Sequence, residues 1–322
     1  MAADAEMIAD RRRLRRKLTL WRVLAIGGLM VAIGAIGFMA MSGARRIAST
    51  QQIARISVSG LITGDSRMAD LFRRVGDSSA VSGVVISISS PGGTTTGSEE
   101  LYRGIRALSA KKPTVAFVSG TAASGAYITA LAADRIVARE TSLIGSIGVL
   151  FQYPDVSKLL GTIGIGMEEV KSSPLKAEPS GFKPTSPEAR AALQAVVNDT
   201  YGWFKDLVKT RRGMSDQEVA VVADGRVFSA RQALPLKLVD ELGAERDAIA
   251  WLEKERKVAP NLPVRDWKAT GPSRFSLWSA AAAGADLVGL PDLAVALRGA
   301  SGTVAAGELT GMLALWQPRF ER

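Results

Sequence analysis

An α/β fold with a mainly parallel sheet, preceded by one transmembrane helix, is predicted by three features of this 322-residue chain. From Arg55 onward, short β-branched apolar runs alternate with helical segments, the pattern of βαβ units. Residues 23–41, 19 in number, contain no charged side chain and follow a dense arginine cluster. The 47% hydrophobic content supplies a core for one large domain or two smaller ones.

Residues 1–22 read as a basic cytoplasmic N-terminus. Arg11, Arg12, Arg13, Arg15, Arg16, Lys17 and Arg22 precede the apolar run, whereas only Arg45 and Arg46 lie just beyond it. That asymmetry orients residues 23–41 as a signal anchor with the rest of the chain outside the cytoplasm. The run exceeds the apolar core of a cleavable signal peptide, although small residues at 39–44 resemble a cleavage site. The net charge of +10 does not point to nucleic acid: residues 1–22 hold seven basic and three acidic side chains, which leaves +6 scattered over the rest. A basic face toward anionic lipid explains the charge, and Arg103, Arg106, Lys111 and Lys112 read as solvated positions.

Residues 42–54 read as a linker and residues 55–256 as the main domain. Strands are expected at 56–62, 84–88, 114–118 and 135–138, with helices at 65–75, 97–108 and 124–132 between them. Residues 141–166, rich in Gly and Ile, are expected to form short strands and turns around a small helix at 156–160. The prolines and polar residues of 171–184 forbid regular structure. Ser186-Pro-Glu caps a long helix running to about residue 210, stopped by Arg211-Arg-Gly213. Further helices are expected at 215–224, 229–236 and 245–256. Residues 257–322 form a C-terminal extension rich in Ala, Gly and Leu that carries no motif.

The chain has no histidine and no cysteine. Ser-His-Asp triads, thiol nucleophiles and the common zinc sites are therefore excluded. A serine nucleophile must then be activated by a lysine that burial has made neutral. Ser124, in Gly120-Thr-Ala-Ala-Ser-Gly-Ala-Tyr127, heads an apolar helical run among small residues. The strand ending at Ile88 opens into Ser89-Ser-Pro-Gly-Gly93, where paired glycines let backbone amides face a ligand as an oxyanion hole requires. Chemistry alone leaves Lys171, Lys176 and Lys183 open as the base. Asp134, Asp155, Asp224 and Asp240 are dispersed as caps, turns or surface pairs, and neither a metal site nor a cofactor motif is visible.

Ser90-Pro-Gly-Gly93, Gly120 to Tyr127, Gly145-Ser-Ile-Gly-Val149, Asp224-Gly-Arg-Val-Phe-Ser-Ala-Arg-Gln-Ala233 and Val239-Asp-Glu-Leu-Gly243 resemble, in order and spacing, the signal peptide peptidase A family of membrane-bound serine peptidases. The resemblance implies a Clp/crotonase-type fold of repeated ββα units and a Ser/Lys dyad without cofactor. It implies Ser124 as nucleophile, Lys176 as general base, Ser146 as the hydroxyl that orients the lysine, and Gly93 and Gly125 as oxyanion donors. It further implies peptide substrates such as signal-peptide remnants, and a bacterial inner-membrane location with the peptidase domain on the periplasmic side. Active sites shared between subunits of a homo-oligomer are implied as well. Against this stand an inactive membrane scaffold, a crotonase-like acyl-binding module and a SohB-type peptidase of the same clan.

Overall fold

The computed structural model describes residue 21, residues 50–269 and the backbone of residues 313–315. Residues up to Gln51 group apart from Gln52–Arg322, and every element below belongs to the second unit. The anchor expected at 23–41 lies outside the described residues. Among those described, no helix is long and apolar enough to cross a membrane.

The sheet confirms the α/β expectation. It contains β1 (Gln52–Ser59), β2 (Val81–Ser90), β4 (Thr114–Ala123), β5 (Arg135–Ala138), β6 (Leu143–Gly145), β7 (Val227–Ser229), β8 (Glu241–Leu242) and β9 (Val264–Asp266). Its spine runs β7-β6-β4-β2-β1-β9, with β8 attached through β5. All pairings are parallel except β6 with β7. The three-residue strand β3 (Gly92–Thr94) stands outside this sheet and pairs with β10 (Leu313–Leu315). The long strand β4 serves two neighbours: residues Val115–Val118 pair with β5, and Thr121–Ala123 with β6.

Both faces of the sheet are covered, which is why β2 and β4 read as nearly continuous apolar runs. Alternation still sorts them. Val84, Ile86 and Ile88 join the larger core beneath helices α1 (Ser66–Asp77), α2 (Thr95–Ser109) and α3 (Gly125–Leu131). Val85, Val115 and Phe117 point the other way, onto Ala248 and Leu252 of α8 (Glu245–Glu255). Between them in sequence lie α4 (Ser157–Thr162), α5 (Pro187–Arg212), α6 (Asp216–Val222) and α7 (Ala230–Ala233).

Helix boundaries follow their caps. The Ser186 hydroxyl accepts from the Ala189 amide, Pro187 occupies the first turn, and Gly213 closes α5 at φ 60° in the left-handed region. Helix α6 ends two residues before Asp224, and α7 is a single turn that stops at Ala233 instead of continuing to 236. The first strand differs from expectation at both ends: it starts at Gln52, within the stretch read as linker, and stops at Ser59. Gly60, at φ 69°, turns the chain there, and Ile62 makes only an isolated bridge to Gly93. In β9, Val264–Asp266 extend the sheet past residue 256, pairing with Ile53–Arg55. No regular element crosses residues 171–184, as the prolines dictate.

Candidate active site

Ser124 sits at the junction of β4 and α3. Its backbone has φ 54° and ψ −118°, a conformation that non-glycine residues rarely adopt. That kink takes Ser124 out of the helix expected to begin there, so α3 starts at Gly125. The side chain is almost fully buried, and its Oγ lies 3.5 Å from the Gly148 carbonyl oxygen, to which it donates. The Ser124 amide donates to the Gly145 carbonyl at 2.7 Å, which ties the turn to β6.

Ser146 follows β6 directly, with φ 50°, and its amide donates to the Arg226 carbonyl at 2.8 Å. Because Ala123 and Gly145 are register partners, Ser124 and Ser146 emerge side by side from parallel strands. The preceding Gly145 has φ 100°, and a Cβ there would meet the Phe228 ring at 3.1 Å, so only glycine turns the chain at this point.

The Gly-Gly segment lies next to this corner, since Ser90 at the end of β2 is registered on Ala122. Buried Ser90 braces the turn, its Oγ accepting from the Gly92 amide at 3.1 Å. The motif contains Ser90 without assigning it a role; the one signal in the sequence is a serine two residues before the first of paired glycines. Ile62 flanks β3 so closely that a Cβ at Gly93 would stand 1.8 Å from the Ile62 carbonyl oxygen. The amide of Thr94 donates to Ile62 and the amide of Ile62 to Gly92. Along an extended strand successive amides alternate sides, so the N–H of Gly93 faces away from Ile62. Gly125 opens α3, and its amide is one of the donors that a first helical turn leaves without an intrahelical acceptor.

The helix behind Ser124 is held firmly. The Tyr127 hydroxyl donates to the Leu238 carbonyl at 2.8 Å, and burial pushes its phenol well above the usual range. At the other end of α3, Arg211 donates to the carbonyls of Leu131 and Ala133 at 2.7 and 2.8 Å, and Arg106 to that of Ala132 at 2.9 Å. These guanidinium groups satisfy carbonyls that a helix end leaves open. Burial, with Arg106 close by, lowers the Arg211 pKa. Arg106 is therefore an anchoring group and not the solvated position expected from sequence. Two of the dispersed aspartates behave as read, Asp155 accepting from the Ser157 amide and Asp224 pairing with Arg226, whereas Asp134 and Asp240 are partly buried: Asp134 accepts from the Thr114 amide and pairs with Arg106 and Arg256, and Asp240 accepts from the Ile136 amide and pairs with Arg212.

The three lysines of the irregular segment differ. Lys171 lies between Glu178 and Glu169, at 2.5 and 2.9 Å, and these carboxylates raise its pKa. Lys183 approaches Glu169 at 3.4 Å. Among the described residues, Lys176 makes no ion pair; it is exposed in a turn, its amide donating to the Ser173 carbonyl. No described contact joins Lys176 to Ser124 or Ser146. The structure thus gathers Ser124, Ser146, Gly93 and Gly125 at one corner and leaves Lys176 on the surface.

Comparison with known proteins agrees with this architecture. Residues 106–259 match the model of Peptidase family S49. A "Putative protease" of Synechocystis sp. is 35% identical over 207 residues, covering 64% of this chain and 75% of the relative. Another "Putative protease", from Methanocaldococcus jannaschii, is 38% identical over 180 residues, 56% of this chain and 58% of its own length. A "Putative signal peptide peptidase SppA" of Enterococcus faecium is 32% identical over 247 residues, 72% of this chain and 71% of that one. With a serine in a strained strand-to-helix corner beside a Gly-Gly turn, and with these relatives, the chain belongs to peptidase family S49 and is a peptidase of the SppA type.

Proposed function

We propose that this chain is a membrane-anchored serine endopeptidase of Clp/crotonase-type fold that degrades signal-peptide remnants outside the cytoplasm, using Ser124 and Lys176 as its dyad. The observation that carries the reading is the corner at Ser124. A buried hydroxyl on a kinked turn heads α3 at Gly125 and lies near the Gly-Gly turn that follows β2, which supports an acyl-transfer site with the Gly93 and Gly125 amides as oxyanion donors.

Ser124 Oγ attacks the peptide carbonyl while its proton passes to the neutral amine of Lys176. The amides of Gly93 and Gly125 hold the oxyanion, and Lys176 returns the proton to the leaving amine. Water then hydrolyses the acyl-enzyme by the reverse proton path. Ser146, at the same level as Ser124, orients the lysine amine.

The lysine reaches the site from a neighbouring copy in a homo-oligomer. Two observations support this: Lys176 is exposed and makes no ion pair among the described residues, and apolar side chains are exposed along the same segment. Leu159, Ile163, Val170, Leu175 and Phe182 stand open to solvent, a patch that a second copy would cover. Covering it would remove water from Lys176 and favour the neutral amine that a base needs.

The test is mass spectrometry of a synthetic signal peptide incubated with detergent-purified protein beside Ser124→Ala. Fragments from the unaltered protein alone support the reading. No fragments from either, with both assembled, would turn the assignment toward the scaffold or acyl-binding alternatives.

A further inference from the structure

The two turns that frame the candidate site meet at one buried side chain. Ser90 ends β2 and is fully buried, and its register partner is Ala122, two residues before Ser124 on β4. The register reaches that partner through an irregularity: from Ile88 to Ser90 β2 advances two residues, while β4 advances four, from Val118 to Ala122. Extra residues of this kind re-aim the end of a strand. The slack is held in place, since the Ser119 hydroxyl donates to the Ile88 carbonyl at 3.3 Å. Ser90 therefore stands where the strand of the nucleophile and the strand of the Gly-Gly turn come level.

Its hydroxyl acts on the turn itself. Pro91 has no amide to give, and it confines Ser90 to extended backbone. The chain then turns at Gly92, with φ 103°, and the Gly92 amide donates to Ser90 Oγ at 3.1 Å. In a Pro-Gly turn closed by backbone alone, the carbonyl of the first residue takes the amide of the fourth, which here is Gly93. The Ser90 side chain closes this turn one residue earlier. The Gly93 N–H, turned away from Ile62 by the alternation along β3, is left for a ligand. Gly92 is buried, so without the hydroxyl its amide would lack an acceptor, and the turn would move to find one. Gly93 would move with it.

We infer that Ser90 is a positioning residue for peptide hydrolysis: through the Gly92 amide its hydroxyl fixes the direction of the Gly93 N–H, and through Ala122 it keeps that donor level with Ser124. It acts through the backbone and takes no part in proton transfer. The inference rests on the peptidase reading for the role of Gly93, and the test separates the two.

Two variants of the full-length, detergent-purified chain carry that test. Ser90→Ala removes the acceptor, and Ser90→Cys fills nearly the same volume with sulfur, a weak acceptor. In both, kcat for a synthetic signal peptide should fall about 10- to 100-fold, with KM within about twofold of the unaltered value; outright removal of an oxyanion donor costs roughly 10²–10³-fold. A peptide aldehyde gives the same reading at equilibrium. Ser124 Oγ bonds to its carbonyl carbon, the serine proton passes to the base, and the aldehyde oxygen becomes the oxyanion. Its affinity should fall by the same factor as kcat/KM. Binding of the signal peptide itself, measured with Ser124→Ala added, should not change.

Hydrogen exchange needs no catalysis. The peptic fragment that carries Gly92 and Gly93, followed by mass, should exchange faster in both variants. Unaltered exchange would overturn the role of the hydroxyl in the turn. Faster exchange with full kcat and full aldehyde affinity would overturn the positioning role, and loss confined to Ser90→Ala would reduce Ser90 to a filler of volume. An unaltered protein that neither cleaves the peptide nor binds the aldehyde would overturn the peptidase reading, while exchange would still decide whether Ser90 holds the turn.

Discussion

Ser124 and Ser146 leave neighbouring parallel strands at the same level, both with positive φ and with the Ser124 amide bonded to the carbonyl of Gly145 at 2.7 Å. Two such residues side by side are costly, at about 1–3 kcal/mol each. The surrounding structure holds them there: β4 and β6 fix the level, Arg226 receives the Ser146 amide, and the Tyr127 hydroxyl and two arginines fasten α3. A corner maintained at that expense is a candidate site for chemistry.

Ser146→Ala tests what the second serine does. If its hydroxyl orients the incoming lysine, the variant should keep its fold and its peptide KM while kcat falls about 10- to 100-fold, less than the roughly 10²–10⁴-fold that a proton-transfer group itself contributes. Steady-state kinetics across pH would check this, because loss of lysine positioning also displaces the alkaline rise in rate. A variant with an unaltered kcat and pH profile would reduce Ser146 to a turn residue.

Gly93→Ala is expected to damage the site without touching a reactive group. The added methyl would stand 1.8 Å from the Ile62 carbonyl oxygen, so one of the two backbones must move. Overpacking of this kind costs about 1–3 kcal/mol, and here the displacement falls on an amide proposed to hold the oxyanion. Thermal unfolding should show a lower Tm, with cleavage reduced more than the fold loss explains. Gly202→Ala is the control: it has open space around it and should leave cleavage unchanged.

Much of this architecture was legible in the sequence, and the reason is periodicity. The apolar runs at 84–88 and 114–118 announced central strands, and Ser186-Pro-Glu with Gly213 announced α5 at both ends. The corner at Ser124 was visible as a residue pattern, but its backbone was not: a run of small apolar residues reads as continuous helix, whereas the Gly145 contact forces Ser124 out of it. Arg106 was misread because its partner, the Ala132 carbonyl, is a tertiary neighbour with no local signal. The pairing of β10 with β3 was out of reach for the same reason, since nothing in Leu-Ala-Leu specifies that it meets a glycine turn more than two hundred residues earlier.

The lysines offer a contrast within one loop. Lys171 is clamped by Glu178 and Glu169, whose hydrogen bonds raise its pKa, so it stays protonated near neutrality and accepts no proton there. Lys176 has neither carboxylate. On the proposed dyad, Lys176→Ala should therefore abolish cleavage without changing the protein's size in solution, while Lys171→Ala should retain cleavage. In the unaltered enzyme the rate should rise with pH, because the base acts only when neutral. Peptide assays at pH 6 to 10 with both variants, paired with size-exclusion chromatography, would check this; full activity in Lys176→Ala would remove it from the dyad.

Glu218 should be one contributor to the loss of stability in acid. Its carboxylate receives the Lys237 ammonium at 2.7 Å and the Ser215 amide at 2.8 Å, closing the capping box of α6. The Lys237 hydrogen bond is the largest cause, followed by that of the Ser215 amide, and together they bring the pKa down from 4.5 to about 2. Since the folded value lies below the unfolded one, the stabilisation is complete above about pH 4.5 and is lost as pH falls toward 2. Glu218→Gln keeps the size and a hydrogen-bond acceptor but removes the charge. The variant should unfold at a lower temperature than the unaltered chain at pH 7, with the difference closing as pH falls from 4.5 to 2. Calorimetric scans at pH 7, 4 and 2 would measure it, and a gap that stays constant over that range would place the stabilisation in the hydrogen bonds alone.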